Sequence, residues 1–164
     1  MAGGNIGDYV GGVGSIGIVR NSFDTFYLVY NDTGGALTNG DVVRVDLLKD
    51  VDTAAGTNEP TVSTPATATV AVVVGVVDNT LKNASTIADA AWGFVQIRGY
   101  CAAITKTTAD AVAIDDYLKA ANAVKTASLD SAYSAKSFAI AKSAKAGGVA
   151  GTVTGFLLGR ETTI

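Results

Sequence analysis

Short runs of alternating or wholly apolar residues dominate the chain, and turns rich in glycine, asparagine and aspartate separate them. The first run, Thr-Phe-Tyr-Leu-Val-Tyr at residues 25–30, is β-branched and aromatic and ends at a strong turn signal over residues 31–35. Similar runs predict strands at residues 25–30, 37–46, 70–77, 92–100, 137–141 and 152–158. Because turn signals recur about every 10 residues, the pattern predicts an all-β fold, a small β-sandwich or barrel-like domain with little helix.

The run at residues 70–77 is the most apolar of the chain and consists almost entirely of valine. A strand with one solvated face alternates apolar and polar residues, whereas this one offers no polar face. Left uncovered, it would promote aggregation. We therefore expect it to be a central strand or to be covered on both faces.

Three segments do not follow the strand pattern. Residues 110–123 are alanine-rich, and their apolar residues recur at helical spacing, which by itself predicts a short helix. Residues 84–91 are compatible with one or two helical turns. Residues 50–66 are polar, contain both prolines and predict a long exposed loop.

The N-terminal residues are glycine-rich and divide the chain into an extended arm (1–22) and a single β domain (23–164). A flexible linker is one interpretation. The density of apolar side chains favours an arm that lies along another subunit or a partner, because linkers rarely carry such residues. The candidate partner-binding residues are Ile6, Tyr9, Val10, Val13, Ile16 and Ile18.

Composition sharpens this expectation. Of the 164 residues only 16% are charged, 48% are hydrophobic and the mean hydropathy is +0.32. An ordinary soluble domain has about 25% charged residues. Part of the surface must therefore consist of large uncharged patches, and a contiguous apolar patch is typical of a protein interface.

The chain contains few side chains of the types that commonly act in catalysis. It contains no histidine and one cysteine, Cys101, which excludes a histidine-based triad, an imidazole metal site and an intramolecular disulfide. The Gly-x-Gly-x-x-Gly match at residues 12–17 lacks the strand before it and the helix after it that a dinucleotide site needs. Asp115 and Asp116, taken as adjacent strand residues, would point to opposite faces and form no shared site. Asp46, Asp50 and Asp52 are interpreted as solvated loop residues. We expect no catalytic residue, no cofactor, no metal and no enzymatic activity.

Charge and hydropathy also bear on partners. The net charge of −3 and scattered basic residues argue against nucleic acid, and Lys136, Lys142 and Lys145 are interpreted as a solvated face. The N-terminus lacks the pattern of a signal peptide, and no apolar run approaches the ~20 residues of a membrane helix. Cys101 and Trp92 are interpreted as apolar packing residues, with Trp92 in the core or at an interface.

Five runs in the C-terminal two-thirds resemble the small head decoration (capsid cement) proteins of tailed bacteriophages. They are Val-Gly-Val-Val-Asp at 74–78, Trp-Gly-Phe-Val-Gln-Ile-Arg-Gly at 92–99, Ala-Ile-Asp-Asp-Tyr-Leu at 113–118, Phe-Ala-Ile-Ala at 138–141 and Val-Thr-Gly-Phe-Leu-Leu at 153–158. The resemblance covers about half of the chain, and Asp115 stands where that family commonly has glycine. It favours a strand at residues 114–118.

The resemblance implies an all-β homotrimer on the outside of an icosahedral shell, bridging neighbouring major capsid subunits through an extended arm. The protein would be made in the host cytoplasm and end on the outer capsid surface of the virion. Two other classes stay open. One is a trimeric virion fibre or adhesion module that binds host surface or carbohydrate. The other is a two-carboxylate hydrolase, which would require convergent buried acids in a pocket.

Overall fold

The computed structural model describes residues 18–20, 23–46, 60–65, 72–159 and 161–162. Within them the chain is nearly all β, as the turn spacing predicts, with one short 3₁₀ helix at Asn79–Lys82. The strands are β1 Ile18–Arg20, β2 Thr25–Asn31, β3 Leu37–Thr38, β4 Val42–Asp46, β5 Thr61–Ser63, β6 Val72–Val77, β7 Thr86–Ile87, β8 Trp92–Lys106, β9 Tyr117–Ala120, β10 Ala127–Asp130, β11 Ser137–Ala141, β12 Gly151–Leu158 and β13 Glu161–Thr162.

The main sheet closes on itself twice, and the long strand β8 belongs to both closures. Ring 1 runs β2-β5-β4-β6-β8 and back to β2, while ring 2 runs β8-β10-β9-β11-β12 and back to β8. The first half of β8 pairs with β2 and β6, and its second half pairs with β12 and β10. The fold is therefore barrel-like, and β8 is the strand that joins its two halves.

A bend at Gly99 lets β8 pass from one ring to the other. Gly99 has a φ of +99°, a conformation that side-chain-bearing residues rarely adopt, and a Cβ there would collide with the Asp24 carboxylate. The side-chain amide of Gln96 donates hydrogen bonds to the backbone carbonyls of Arg98 (3.2 Å) and Tyr100 (2.9 Å) across the bend. The Tyr100 N–H donates to Asp24 Oδ1 at 3.1 Å. These bonds satisfy backbone groups that the bend removes from the ladder.

The valine strand β6 lies between two separate cores, which explains its composition. Val72, Val74 and Val76 face the ring-2 core, while Val77 and the partly buried Val73 face the ring-1 core. Strand alternation sends successive side chains to opposite faces, so a strand with a core on each side needs apolar residues throughout. The expectation of a central strand covered on both faces is confirmed.

The two cores differ in size. The larger ring-2 core consists of Val42, Val72, Val74, Val76, Cys101, Ile104, Val112, Leu118, Ala120, Ala127, Phe138, Ala139, Ala141, Val153 and Leu157. The ring-1 core consists of Val29, Leu37, Val43, Val45, Val62, Val77, Ile87, Val95 and Ile97. Leu37 and Ile87 come from the small separate sheet formed by β3 and β7, which therefore covers ring 1.

The helical interpretation of residues 110–123 is wrong: the segment contains the strand Tyr117–Ala120, with turns on either side. Of the strand favoured at residues 114–118, only the last two residues are strand. Leu118 and Ala120 are buried, while Tyr117 and Lys119 between them are only partly buried. This strand, β9, pairs with β10 and β11, so sheet pairing on both edges outweighs the helix propensity of alanine. Asp115 has a φ of +70° in the turn before it, so a tight turn forms without glycine.

Two further local predictions are wrong. The helical turn lies at Asn79–Lys82 rather than within residues 84–91, because Asp78 caps it by accepting from the Thr80 N–H, and Thr86–Ile87 is strand β7. The supposed exposed loop at residues 50–66 contains strand β5, which closes ring 1 between β4 and β2. Its two flanking prolines are buried, and their carbonyls accept backbone hydrogen bonds.

Candidate functional site

The most distinctive surface feature is a group of large apolar side chains that the rings leave exposed. Those with the greatest exposure are Phe23, Leu81, Tyr100, Ile114, Val124, Tyr133, Val149 and Phe156. Most are scattered, which is ordinary for a soluble protein. Tyr100, Tyr133 and Phe156 are different because the sheet register brings them into one line on ring 2.

That line follows directly from strand pairing. Tyr100 on β8 pairs with Phe156 on β12, Phe156 pairs with Ile140 on β11, and Ile140 pairs with Tyr117 on β9. Residues directly opposite each other on antiparallel strands have their side chains on the same face. The Tyr133 ring then meets the Tyr117 ring edge-on at 5.2 Å between centroids. We call these five residues the outer row.

The outer row faces away from the ring-2 core. The sequence neighbours Cys101, Leu157 and Leu118 are at most 2% exposed and belong to that core. By strand alternation the row residues must point outward. Accordingly, Tyr100 is 56% and Phe156 is 38% exposed, and Ile140 and Tyr117 are partly buried. The row is thus a continuous apolar surface across four strands.

A hydrogen-bonded loop fixes the Tyr133 end of the row. The Asp130 carboxylate accepts from the hydroxyls of Ser134 (2.6 Å) and Ser137 (2.7 Å), and Lys119 Nζ lies 3.8 Å from its other oxygen. Asp130 is 8% exposed and Ser137 is fully buried. This arrangement ties the loop after β10 to the start of β11, so Tyr133 is presented by a fixed turn.

The adjacent acids Asp115 and Asp116 do not form a shared site. They lie in the turn before β9, not on a strand as the sequence interpretation assumed, and their carboxylates have different partners. Asp115 Oδ1 receives a hydrogen bond from Lys142 Nζ at 2.6 Å on the exposed surface. Asp116 Oδ2 accepts from the Ala113 N–H at 2.7 Å. One acid pairs with a surface cation and the other stabilises the turn.

Two cavities offer little for acid–base chemistry. The larger, about 370 Å³, is open and lined mainly by alanines, with Asp116 as its one carboxylate. The smaller, about 110 Å³, lies beside Cys101 with Asp78 as its one carboxylate. Neither cavity holds the carboxylate pair that glycoside hydrolysis requires.

Cys101 is buried, with 2% exposure, and lies within β8 rather than after it. Burial raises its pKa from 9.0 to about 11, an effect that a backbone hydrogen bond with Ala103 partly offsets. We expect thiol labelling at pH 8 to be about 100-fold slower in the native protein than in urea, because thiolate is the reactive form. Stopped labelling followed by mass spectrometry measures both rates.

The same shift predicts a pH effect of known sign. Below pH 9 the thiol is neutral in both states, and its stabilising contribution is complete. As the pH rises from 9 towards 11, the unfolded chain loses the thiol proton first, so the stability falls. The Cys101→Ala variant lacks this component of the alkaline loss. Equal labelling rates in the native and unfolded proteins would contradict the labelling prediction made above.

Lys106 is a buried cation that the sequence pattern does not reveal. Its side chain is 2% exposed, and Nζ donates to the carbonyls of Thr107 (2.8 Å) and Asp110 (2.7 Å). The Asp110 carboxylate in turn accepts from the Thr107 hydroxyl and from the Leu129 N–H, both at 2.8 Å. Lys106 thereby anchors the loop after β8 to β10, and its contacts are those of a structural residue.

Most of the candidate arm residues lie outside the described part of the chain: Ile6, Tyr9, Val10, Val13 and Ile16. Ile18 is described only through its backbone, which begins β1 and pairs with Tyr27 of β2. The last described part of the expected arm, residues 18–20, is therefore attached to the chain's own sheet. Asp50 and Asp52 also fall outside the described residues, while Asp46 lies 3.6 Å from Arg44 in an ion pair.

Three observations concern other expected sites. Trp92 is partly buried and meets Tyr30 edge-on at 5.5 Å, at the ring-1 end of β8. Among the described residues, no group of three or more acids or cysteines is placed to hold a metal ion. In the same part of the chain, no helix has the length and apolar character needed to cross a membrane.

Comparison with known proteins adds no relative. No protein-family model, no curated protein and no solved structure matches the chain. The outer row is therefore the feature on which a functional argument can be built, since its geometry follows from the chain's own strand register.

Proposed function

We propose that this chain is a structural virion protein that binds the outside of an icosahedral phage capsid and stabilises the shell by bridging neighbouring major capsid subunits. The observation that carries the proposal is the outer row, a largely apolar surface on a closed β body, because such a surface is typical of a protein with permanent neighbours in an assembly. The resemblance of the chain's sequence to the phage head decoration proteins indicates that the assembly is a capsid.

The row supports an assembly role because its side chains are costly to leave in water. Burying a fully exposed phenylalanine side chain contributes roughly 1.5–3 kcal/mol, and covering Tyr100 and Phe156, which are 56% and 38% exposed, would supply part of that. Contiguous exposed patches of this kind mark interaction surfaces. The low charge content, 16% of residues, is also typical of proteins with permanent neighbours.

The mechanism we propose is mass action on the shell. A protein that binds the assembled lattice but not its separated subunits stabilises the lattice by the free energy of its own binding. Self-association as a homotrimer would present three copies of each capsid contact at once, which multiplies modest affinities through avidity. The partners are then the major capsid protein and further copies of this chain, on the outer surface of the virion.

Deletion of residues 2–17 tests the role of the arm. The structure sets this boundary because β1, residues 18–20, pairs with β2 and must be kept for the body to fold. We expect the truncated protein to have an unchanged far-ultraviolet spectrum and at least tenfold weaker binding to undecorated particles. Cosedimentation over a concentration series measures the binding. A truncated protein that binds particles with full affinity contradicts the role of the arm.

A second function, a virion surface module that binds carbohydrate, has one observation in its favour. Three of the five side chains of the outer row are tyrosines, Tyr100, Tyr117 and Tyr133, and aromatic rings with a polar end suit partly wet binding surfaces. A glycan array distinguishes the two functions. Saturable particle binding without a glycan signal supports the capsid role, whereas selective glycan binding that Tyr100→Ser abolishes supports the adhesion role.

A further inference from the structure

We propose that the outer row is the docking surface for the N-terminal segment, residues 1–17, of another copy of this chain. The inference rests on the self-association part of the proposed function and is independent of capsid binding. It assigns an occupant to the row that the chain itself supplies. It also gives the apolar residues of that segment a defined place to bind.

The chemistry of the segment matches that of the row. Residues 1–17 contain a single charged side chain, Asp8, and five of the candidate partner-binding residues, which are apolar and separated mainly by glycines. Glycine lets a backbone approach a sheet face closely, and the apolar side chains would cover the exposed rings. None of the five row residues is charged, and Asp8 is the one charged side chain of the segment, so docking requires little burial of charge.

The spacing of the two surfaces also agrees. Val10, Val13 and Ile16 recur every third residue, which in a polyproline II conformation puts them on one face about 9 Å apart. The outer row crosses neighbouring strands that lie about 4.8 Å apart, so every second strand lies about 10 Å along it. A polyproline II segment laid across the strands would therefore place one apolar side chain at every second strand.

The direction of β1 favours the row of another copy over the chain's own. Strand β1 runs antiparallel to β2, and β2 runs antiparallel to β8, so β1 is parallel to β8. Ile18 is aligned through Tyr27 with Val95, and the chain then runs towards Tyr100 at one end of the row. In the N-to-C direction residues 18–20 therefore run towards the row, so Ile18, where residues 1–17 join β1, is the end of β1 farther from Tyr100.

The segment is long enough to reach a neighbour. Seventeen extended residues span up to about 56 Å, while the alignment point at Val95 lies only about 17 Å along β8 from Tyr100. Such a contact is heterologous, because the segment of one copy meets a different surface on the next. Heterologous contacts that close generate rings, which agrees with a trimer.

Carbohydrate is a weaker candidate for the row. Sugar hydroxyls need hydrogen-bond partners beside the aromatic rings. The acids nearest the row are already engaged, Asp130 by two serine hydroxyls and Asp115 by Lys142. The apolar side chains of the glycine-rich segment need no such partners.

The experiment uses full-length variants and the mass of the complex. The row variant carries Tyr100→Ser and Phe156→Ser, and the segment variant carries Val10→Ser and Val13→Ser. The control variant, Ile114→Ser with Val149→Ser, alters two exposed apolar residues outside the row. Sedimentation equilibrium gives the dissociation constant, and thermal unfolding checks that each variant is folded. We expect the row and segment variants each to raise the dissociation constant at least tenfold, and the control to leave it unchanged.

Two combinations make the test specific. The variant with all four row and segment substitutions should associate no more weakly than the row variant or the segment variant, since both pairs of substitutions remove the same contact. A mixture of the row variant and the segment variant should form mixed complexes, because one copy keeps the row and the other keeps the segment. Additive losses in the fourfold variant, or no mixed complexes, would overturn the inference.

Other results also decide the question. A wild-type protein that is monomeric at all concentrations overturns the inference, as does a row variant with the wild-type dissociation constant. Equal thermal destabilisation by both pairs without any change in mass would place the segment on its own row. Particle binding is measured separately. Self-association without decoration overturns the proposed function alone, and decoration without row-dependent association overturns only this inference.

Discussion

Replacing Gly99 with alanine is expected to lower the free energy of unfolding by about 3 kcal/mol or more. The residue has a φ of +99°, which alone costs an L-amino acid roughly 1–2 kcal/mol. The added Cβ would also collide with the Asp24 carboxylate and lie 2.8 Å from the Phe23 carbonyl oxygen. Asp24 would have to move, which would break its hydrogen bond to the Tyr100 N–H. Urea denaturation followed by Trp92 fluorescence measures the loss.

Gly148→Ala is the matched control for this prediction. Gly148 also has a positive φ, +74°, but a Cβ there meets no atom within 4 Å. We expect that variant to lose only about 1 kcal/mol, the cost of the backbone conformation. The difference between the two variants isolates the steric requirement of the β8 bend. Equal losses would mean that the bend does not need the absence of a side chain.

Phe138→Ala is expected to cost about 3–5 kcal/mol, because it leaves a large cavity in the ring-2 core. Phe138 is 2% exposed and is one of the largest fully enclosed side chains among the described residues. Phe156→Ala, a truncation of the same size on the neighbouring strand, removes a side chain of the outer row and should cost less than about 1 kcal/mol. Urea midpoints of the two variants provide the comparison.

The Phe138→Ala variant also tests whether the two rings unfold together. Trp92 is the only tryptophan and lies at the ring-1 end of β8, whereas Phe138 lies in ring 2. Because both rings share β8 and the β6 face, we expect Trp92 fluorescence and far-ultraviolet circular dichroism to report one transition with one shifted midpoint. A fluorescence midpoint that stays at the wild-type value while the dichroism midpoint falls would separate the rings.

The sequence predicts the fold class and most strands because these depend on local patterns. Residues 137–141 form β11 within the predicted bounds, and the valine run is buried on both faces as its composition requires. The two segments whose strands the local pattern did not predict have a common cause for the error. Strand β5 is three residues long in a polar segment, and β9 lies in an alanine-rich one. Both are strands because neighbouring edges supply hydrogen-bond partners, and local propensity contains no information about those edges.

The outer row could not be found from the sequence for a related reason. Tyr100, Phe156 and Ile140 are far apart in the chain, and each alone is an ordinary aromatic or branched residue at a strand position. Only the register, which pairs Phe156 with both Tyr100 and Ile140, places them side by side. A shift of one residue in either pairing would send one of them to the opposite face. The low charge content indicates that such a surface should exist but not where it lies.

The position of β6 between two cores has a consequence during synthesis on the ribosome. Its Val72, Val74 and Val76 side chains are covered by ring-2 residues that extend to Leu157, which are translated after β6. At about 5–20 residues per second, the ribosome needs roughly 4–16 s to supply that cover. During this interval one face of the valine strand is without its final neighbours. The growing chain is therefore most prone to aggregate after ring 1 has emerged, which makes chaperone binding at this stage an advantage for its production.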